Sequence, residues 1–246
     1  MKLDRRILVP GAVTLSVVCM TLWGCTHGRP GPEPEVVRPE KVLAFSTLYK
    51  QNCSACHGEN GKNGAAISLA NPVYLALAGE DHLTDVIANG VHGGLMPAFA
   101  RGSGGTLTDQ QVSALVQGLI QQWGAPKLPA DQTPPPYAGT QPGDAARGQQ
   151  AFGAFCGRCH GTAGEGNPDY RKGNFSKLGS IVDPSYLALI SNQNLRSVTI
   201  AGRPDEGMPD WRSDGTQPMT DQQITDIVAW MASKRTADPG QPYPSP

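Results

Sequence analysis

Residues 71–112 and 183–224 of this 246-residue chain align without a gap at an offset of 112, with 14 identities in 42 positions. Tyr74 and Tyr186, Leu75 and Leu187, Gly90 and Gly202, Met96 and Met208, Pro97 and Pro209 all coincide, as does the run Thr108-Asp109-Gln110-Gln111 with Thr220-Asp221-Gln222-Gln223. Self-similarity of this length means two copies of one small domain, because solenoid repeats run only to roughly 20–50 residues. Whatever one half folds into, the other must fold into as well.

The shared pattern is helical. Asn71-Pro72 and Asp183-Pro184 read as a helix N-cap followed by proline at the first helical position. Gly90 and Gly202 stand where a left-handed residue closes helices that begin near 81 and 193. Thr108 with Gln111, and Thr220 with Gln223, fit the capping box and open a last helix. That helix presents Val112, Leu115, Val116 and Leu119 in one repeat and Ile224, Ile227, Val228 and Met231 in the other, at core spacing. No stretch sustains strand alternation, so each repeat is expected to be a small all-α domain. Gly and Pro together supply 52 of the 246 residues and aromatics only 6%, a loop-rich composition with little apolar bulk of its own.

Each repeat carries one C-x-x-C-H sequence, Cys53-Ser54-Ala55-Cys56-His57 and Cys156-Gly157-Arg158-Cys159-His160. Two thiols three residues apart lie on one face of a helical turn, where both can add to the vinyl groups of one haem. The next histidine is then directed under the iron. A thioredoxin-like dithiol, a zinc site or disulfides in an exported protein are the other uses of such cysteines. Each needs a context missing here, a strand before the motif or further Cys and His pairs at ligand spacing. The expectation is two covalently bound haem c groups, held by Cys53, Cys56, Cys156 and Cys159, with His57 and His160 as proximal iron ligands.

The sixth iron position needs a second donor. Met96 lies 39 residues after His57 and Met208 lies 48 after His160, the nine-residue difference falling as an insertion between 161 and 182. Both precede proline, and both have an aromatic three residues on, Phe99 and Trp211. The rivals Met219 and Met231 align with Leu107 and Leu119, and leucine cannot ligate iron, so neither serves a function common to both repeats. His27, His82 and His92 have no counterpart histidines and read as surface polar residues, His92 with a minor chance of displacing the nearby Met96.

Each repeat resembles a class I cytochrome c domain, with its haem motif near the start, Met-Pro later and an amphipathic last helix. The pair resembles the tandem dihaem cytochromes c of bacterial respiratory chains. That resemblance implies His57 with Met96, and His160 with Met208, as axial pairs. Family members cross their first and last helices through a small residue facing a large aromatic. Gly148 and Trp230 follow that pattern, whereas the first repeat has Phe45 and Gly118 in the corresponding places. Reading this as a swap that conserves volume predicts contact between Phe45 and Gly118, and between Gly148 and Trp230.

The remaining segments bear on location. Residues 1–24 read as an export signal, with a positive start and a 17-residue apolar run from Ile7 to Trp23 interrupted by Pro10-Gly11. Leu22-Trp23-Gly24-Cys25 resembles a lipobox, which makes Cys25 an acylated N-terminus anchored to a membrane, and Thr26 after it weakly favours the outer one. Residues 25–40 are a Pro-rich tether, 41–125 the first domain, 126–143 a second Pro-rich linker, 144–235 the second domain and 236–246 a disordered tail. A formal charge of −1 argues against a nucleic-acid partner. The family implies an electron-transfer protein rather than an enzyme, with redox proteins as partners: a quinol-oxidising complex, a dehydrogenase or a terminal oxidase. A dihaem enzyme, such as a peroxidase or small-molecule dehydrogenase, and a permanently docked complex subunit are the alternatives. The cluster Arg171, Lys172 and Lys177 in the insertion is a candidate contact surface.

Overall fold

The computed structural model describes residues 36–92, 94–124, 133–169, 178–212 and 217–236. The signal, Cys25, His27, most of the tether, the Arg171–Lys172–Lys177 cluster and nearly all of the tail lie outside the described residues. The described residues from Pro39 onward belong to one compact unit.

The first repeat comprises α1 (Phe45–Asn52), α2 (Ser54–His57), α3 (Pro72–Asn89) and α4 (Asp109–Trp123). The second comprises α5 (Ala145–Phe155), α6 (Gly157–His160), α7 (Pro184–Leu189), α8 (Asn192–Ala201) and α9 (Asp221–Ala232). Among the described residues there are no strands, only isolated bridges such as Arg203 to Met208. No helix among them is long and apolar enough to cross a membrane.

The caps form where side-chain chemistry dictates. Asn71 Oδ1 accepts from the N–H groups of Val73 and Tyr74 at 3.0 and 3.2 Å, and Asp183 Oδ1 from those of Ser185 and Tyr186 at 2.9 and 3.2 Å. Thr108 with Gln111 and Thr220 with Gln223 close both capping boxes. The repeats differ at one break. Gly79 adopts φ 71° inside α3 and lets the helix run on across a kink. Its counterpart Ser191 instead N-caps α8, so the same stretch becomes two helices.

The first and last helices of each repeat cross through the swapped pairs. A Cβ added at Gly118 would lie 2.1 Å from Phe45 Cδ2, and one at Gly148 would lie 2.9 Å from Trp230 Cβ and 1.9 Å from the Asp226 carbonyl oxygen. Both expected contacts are present. Phe45, Tyr49 and Trp123 close one end of the first core by edge-on contacts, and Phe152 lies 4.5 Å from Trp230 in the second.

The N-terminal edge and the linker are more ordered than their composition suggests. Pro39–Lys41 is a 3₁₀ turn, and the buried Gln111 donates to the carbonyls of Pro39 and Val42 at 2.9 and 3.1 Å. Residues 133–143, the later part of the linker, are strapped to α8 and α9. Arg196, 4% exposed, donates to the carbonyls of Pro136 and Tyr137 and pairs with Asp221, which also accepts from Thr140. Across the repeats, Asn71 Nδ2 donates to the Ala201 carbonyl at 2.9 Å, and the Asn63 N–H donates to Asp205 at 3.1 Å.

Candidate functional site

In both repeats the cysteine motif forms one turn appended to the first helix. Cys53 ends α1 by donating its N–H to Tyr49, and the N–H groups of Cys56 and His57 return to the Cys53 carbonyl at 3.2 and 3.0 Å. The second repeat matches it, with Cys159 and His160 donating to Cys156 at 3.1 and 3.0 Å. The turn stops on Gly58 at φ 82° and on Gly161 at φ 77°. The chain then doubles back so closely that a Cβ on Gly58 would lie 1.9 Å from the Lys62 carbonyl oxygen. Tyr49 pins this bend by donating its hydroxyl to the Gly58 carbonyl at 2.8 Å.

His57 Nδ1 lies 2.8 Å from the carbonyl oxygen of Ile67. A carbonyl only accepts, so Nδ1 carries the proton and Nε2 keeps the lone pair a metal needs. Burial lowers the pKa of both His57 and His160, which favours the neutral ligand form. The buried Nδ1 of His160, by contrast, has no hydrogen-bond partner among the described residues.

All four motif cysteines are free of disulfides. Burial, with the neighbouring thiol adding to it, pushes Cys53 up to about 11 and Cys156 up to about 12. A redox dithiol works as a thiolate near neutral pH, and these two are held as thiols. Among the described residues no group of three or more His, Cys, Asp or Glu gathers that could hold a metal ion.

Met96 and Met208 are half-buried in loops that fold back on the helix-closing glycines. Val91 donates to the Met96 carbonyl at 3.0 Å, and Arg203 exchanges two bonds of 3.0 Å with Met208. A Cβ on Gly90 would meet the Met96 carbonyl oxygen at 2.8 Å, and one on Gly202 the Pro209 carbonyl oxygen at 2.5 Å. Glycine is thus required twice at each position, for φ above 70° at Gly90 and 65° at Gly202, and for the close approach of the Met-Pro backbone. No hydrogen bond joins either methionine to its cysteine motif. Met219 and Met231, at 7% and 4% exposure, are core side chains.

Two thiols on one turn, an imidazole that follows them (its tautomer fixed in the first repeat) and a thioether on a separate loop of the same repeat make a donor set that fits a covalently attached haem. Comparison with known proteins decides the matter. A family model for cytochrome c matches residues 145–234, and one for the cbb3-type cytochrome c oxidase subunit III matches residues 41–117. The chain carries two cytochrome c domains. Its cofactors are two covalently bound c-type haems. Among curated relatives, this dihaem cytochrome is 36% identical over 105 residues, 42% of its length, to the cbb3-type cytochrome c oxidase subunit FixPc of Rhizobium leguminosarum bv. viciae. It is 29% identical over 135 residues, 51% of its length, to the subunit FixP of Sinorhizobium medicae. The matches take in 33% and 41% of those relatives, so the chain spans less than half of either. A solved chain from the reducing HAO-like protein complex of Kuenenia stuttgartiensis superposes with a TM-score of 0.44 at 16% identity, covering 82% of this chain and 99% of that one.

Two features of the cytochrome escape sequence reasoning. The Ile67 carbonyl that holds His57 is a backbone atom, which no residue type announces. His82, expected as a surface polar residue, is half-buried with its ring 4.2 Å from that of Tyr137, because the linker folds onto α3. His92 is exposed, as expected.

Proposed function

We propose that this dihaem cytochrome is an exported, lipid-anchored electron carrier that delivers electrons to a terminal oxidase. When bound, each haem supplies a one-electron ferrous/ferric couple. Cys53 and Cys56, and Cys156 and Cys159, hold the two groups in place. His57 would present Nε2 from the motif turn, and His160 is the corresponding donor of the second repeat. Met96 and Met208 would supply the second donor, a soft thioether that favours the reduced state. A histidine and a methionine in each repeat would together hold the group without leaving a donor place for a substrate, which favours a carrier over a peroxidase or dehydrogenase. The single observation that carries this reading is the recurrence of the same motif turn and the same glycine-clamped Met-Pro loop in both repeats.

The oxidase partner is supported by the two relatives named as oxidase subunits, and it is equally compatible with a permanently docked subunit. Export, an acyl anchor at Cys25 and an extended tether of about 3.1 Å per residue rest on the sequence of residues 1–40. The test is the optical and EPR spectrum of the oxidised holoprotein beside Met96→Ala and Met208→Ala. Two low-spin irons, each lost with its own substitution, are expected. A high-spin or bis-histidine iron in the unsubstituted protein overturns the carrier reading. Copurification with an oxidase in mild detergent separates the docked subunit from the shuttling carrier.

A further inference from the structure

The repeats hold their proximal histidines differently. In the first, the loop after the motif is fastened three times: Tyr49 to the Gly58 carbonyl at 2.8 Å, the Ala66 N–H to the Cys56 carbonyl at 2.9 Å, and His57 Nδ1 to the Ile67 carbonyl at 2.8 Å. In the second, Phe152 replaces Tyr49 in the alignment and has no hydroxyl to give. Nine extra residues lengthen the loop, which is fastened elsewhere: the Gly166 N–H donates to the His160 carbonyl at 2.8 Å, Asn167 and Leu178 exchange bonds of 2.9 and 3.0 Å, and the Ile181 N–H donates to the Gly164 carbonyl at 3.0 Å. None of these reaches the imidazole, and His160 Nδ1 is buried with no partner among the described residues. The difference accompanies two differences in the sequence, Phe152 for Tyr49 and the insertion between 161 and 182.

We infer that the first domain is the low-potential end of the molecule and the second the high-potential end, so that electrons enter at residues 41–125 and leave from 144–235. The inference rests on the His/Met ligation proposed above. An Nδ1–H donating to a carbonyl makes the imidazole more basic toward its metal, which stabilises the oxidised state. His57 has that bond and His160 lacks it. The step is a single electron passing from the first domain to the second, with no proton or atom transferred. One feature opposes this order: the Met208 loop carries Asp205 and Glu206, where the first repeat has only glycines. Glu206 is neutralised by Arg203 at 2.6 Å, and Asp205 accepts the Asn63 N–H of the other domain, so the loop's uncompensated charge is partly satisfied.

The experiment is a potentiometric titration of the full-length holoprotein, alone and as Met96→His and Met208→His, each of which marks one domain by changing its ligand pair and EPR signal. Two steps are expected, separated by at least a tenfold equilibrium constant, or 59 mV for one electron. Met96→His should retain the upper step and Met208→His the lower. The reverse assignment, or steps closer than 59 mV, overturns the inference. The hydrogen bond itself is read by resonance Raman on the ferrous Met96→Ala and Met208→Ala proteins. A higher iron–histidine stretching frequency is expected where His57 is the ligand observed, and equal frequencies refute the cause given. A high-spin iron in the unsubstituted protein defeats the carrier reading instead, whatever the order of the two steps.

Discussion

Replacing Gly148 by alanine should damage the second domain far more than the matching change at Gly118 damages the first. Alanine in a helix interior is worth about 0.5–1 kcal/mol over glycine, so on propensity alone both substitutions stabilise. Packing reverses that. At Gly118 the new Cβ would lie 2.1 Å from Phe45 Cδ2 and 2.3 Å from Cγ, atoms of a half-buried ring that can turn aside, and 2.7 Å from Phe45 Cβ, which a small shift of the helix relieves. Overpacking of this kind costs about 1–3 kcal/mol, leaving a net loss of about 1 kcal/mol. At Gly148 the nearest atoms are the Asp226 carbonyl oxygen at 1.9 Å and its carbon at 2.5 Å, which are helix backbone and cannot rotate away. Reaching ordinary contact requires α5 and α9 to separate, loosening Phe152 and Trp230 with them. The net cost is then at least about 3 kcal/mol, beyond the usual overpacking range. For a domain of this size that lowers Tm by roughly 12–24 °C, against roughly 4–8 °C for Gly118→Ala. Differential scanning calorimetry of the holoprotein, with circular dichroism to assign the transitions, measures both. Phe45→Ala, which removes the two nearest atoms, should cost less in the Gly118→Ala protein than in the original, whereas Trp230→Leu should bring no such relief to Gly148→Ala. A Gly148→Ala protein as stable as the original refutes the reasoning.

Three further outcomes follow from particular contacts. Burial alone would raise the Asp226 carboxyl, but hydrogen bonds from Arg147, the Asp144 N–H and Gln222 outweigh it and hold its pKa below the ordinary value. A depressed carboxyl contributes stability above its unfolded pKa of about 3.9 and loses it as pH falls through the folded value. The second domain should therefore melt before the first on acidification below about pH 4, since Ala114 replaces Asp226 in the first. Asp226→Asn should cost about 1.5–3 kcal/mol at neutral pH and flatten that dependence in pH-stepped melts. Arg196→Ala should cost about 3 kcal/mol, the low end for a broken buried pair because Asp221 keeps access to water, and should expose residues 133–143 to limited proteolysis; an unchanged cleavage pattern counts against the strap. Asn71→Asp keeps the oxygen that caps α3 but turns a carboxylate toward the Ala201 carbonyl. Small-angle scattering should then report a larger radius of gyration at constant helix content, and an unchanged radius defeats the assignment of Asn71 to the contact between repeats.

What the sequence made legible was local or volumetric. Caps at Asn71, Asp183, Thr108 and Thr220 are settled by side chains within three residues of the groups they satisfy, so composition at those positions suffices. The Phe45–Gly118 and Gly148–Trp230 crossings were legible because close packing conserves volume across a pair even when its members exchange places. The linker was not. Proline-rich composition reads as free chain, yet proline carbonyls have undiminished accepting capacity, and a buried guanidinium such as Arg196 has five donors to place. The Ile67 carbonyl was invisible for the simpler reason that every residue has one.

Where the repeats diverge is explained by how they meet. Two equivalent domains that touch through different surfaces put equivalent residues into different surroundings, so selection on them cannot be the same. Tyr74, beside Tyr137, is 8% exposed while the identical Tyr186 is 38% exposed. Asn71 and Asp183 cap their helices alike, but Asn71 must also donate to the opposite repeat, which an aspartate cannot do. Thr84 answers to Arg196, and only Arg196 has a strap to hold. His82 answers to Asn194, and only His82 faces a linker tyrosine. The identities retained in both repeats, glycines at 90 and 202 and Met-Pro after them, lie where backbone approaches backbone around the methionine. Among the described residues, the asymmetry that touches the proximal histidines is the hydrogen bond that His57 makes and His160 lacks, and the inference of unequal potentials turns on it.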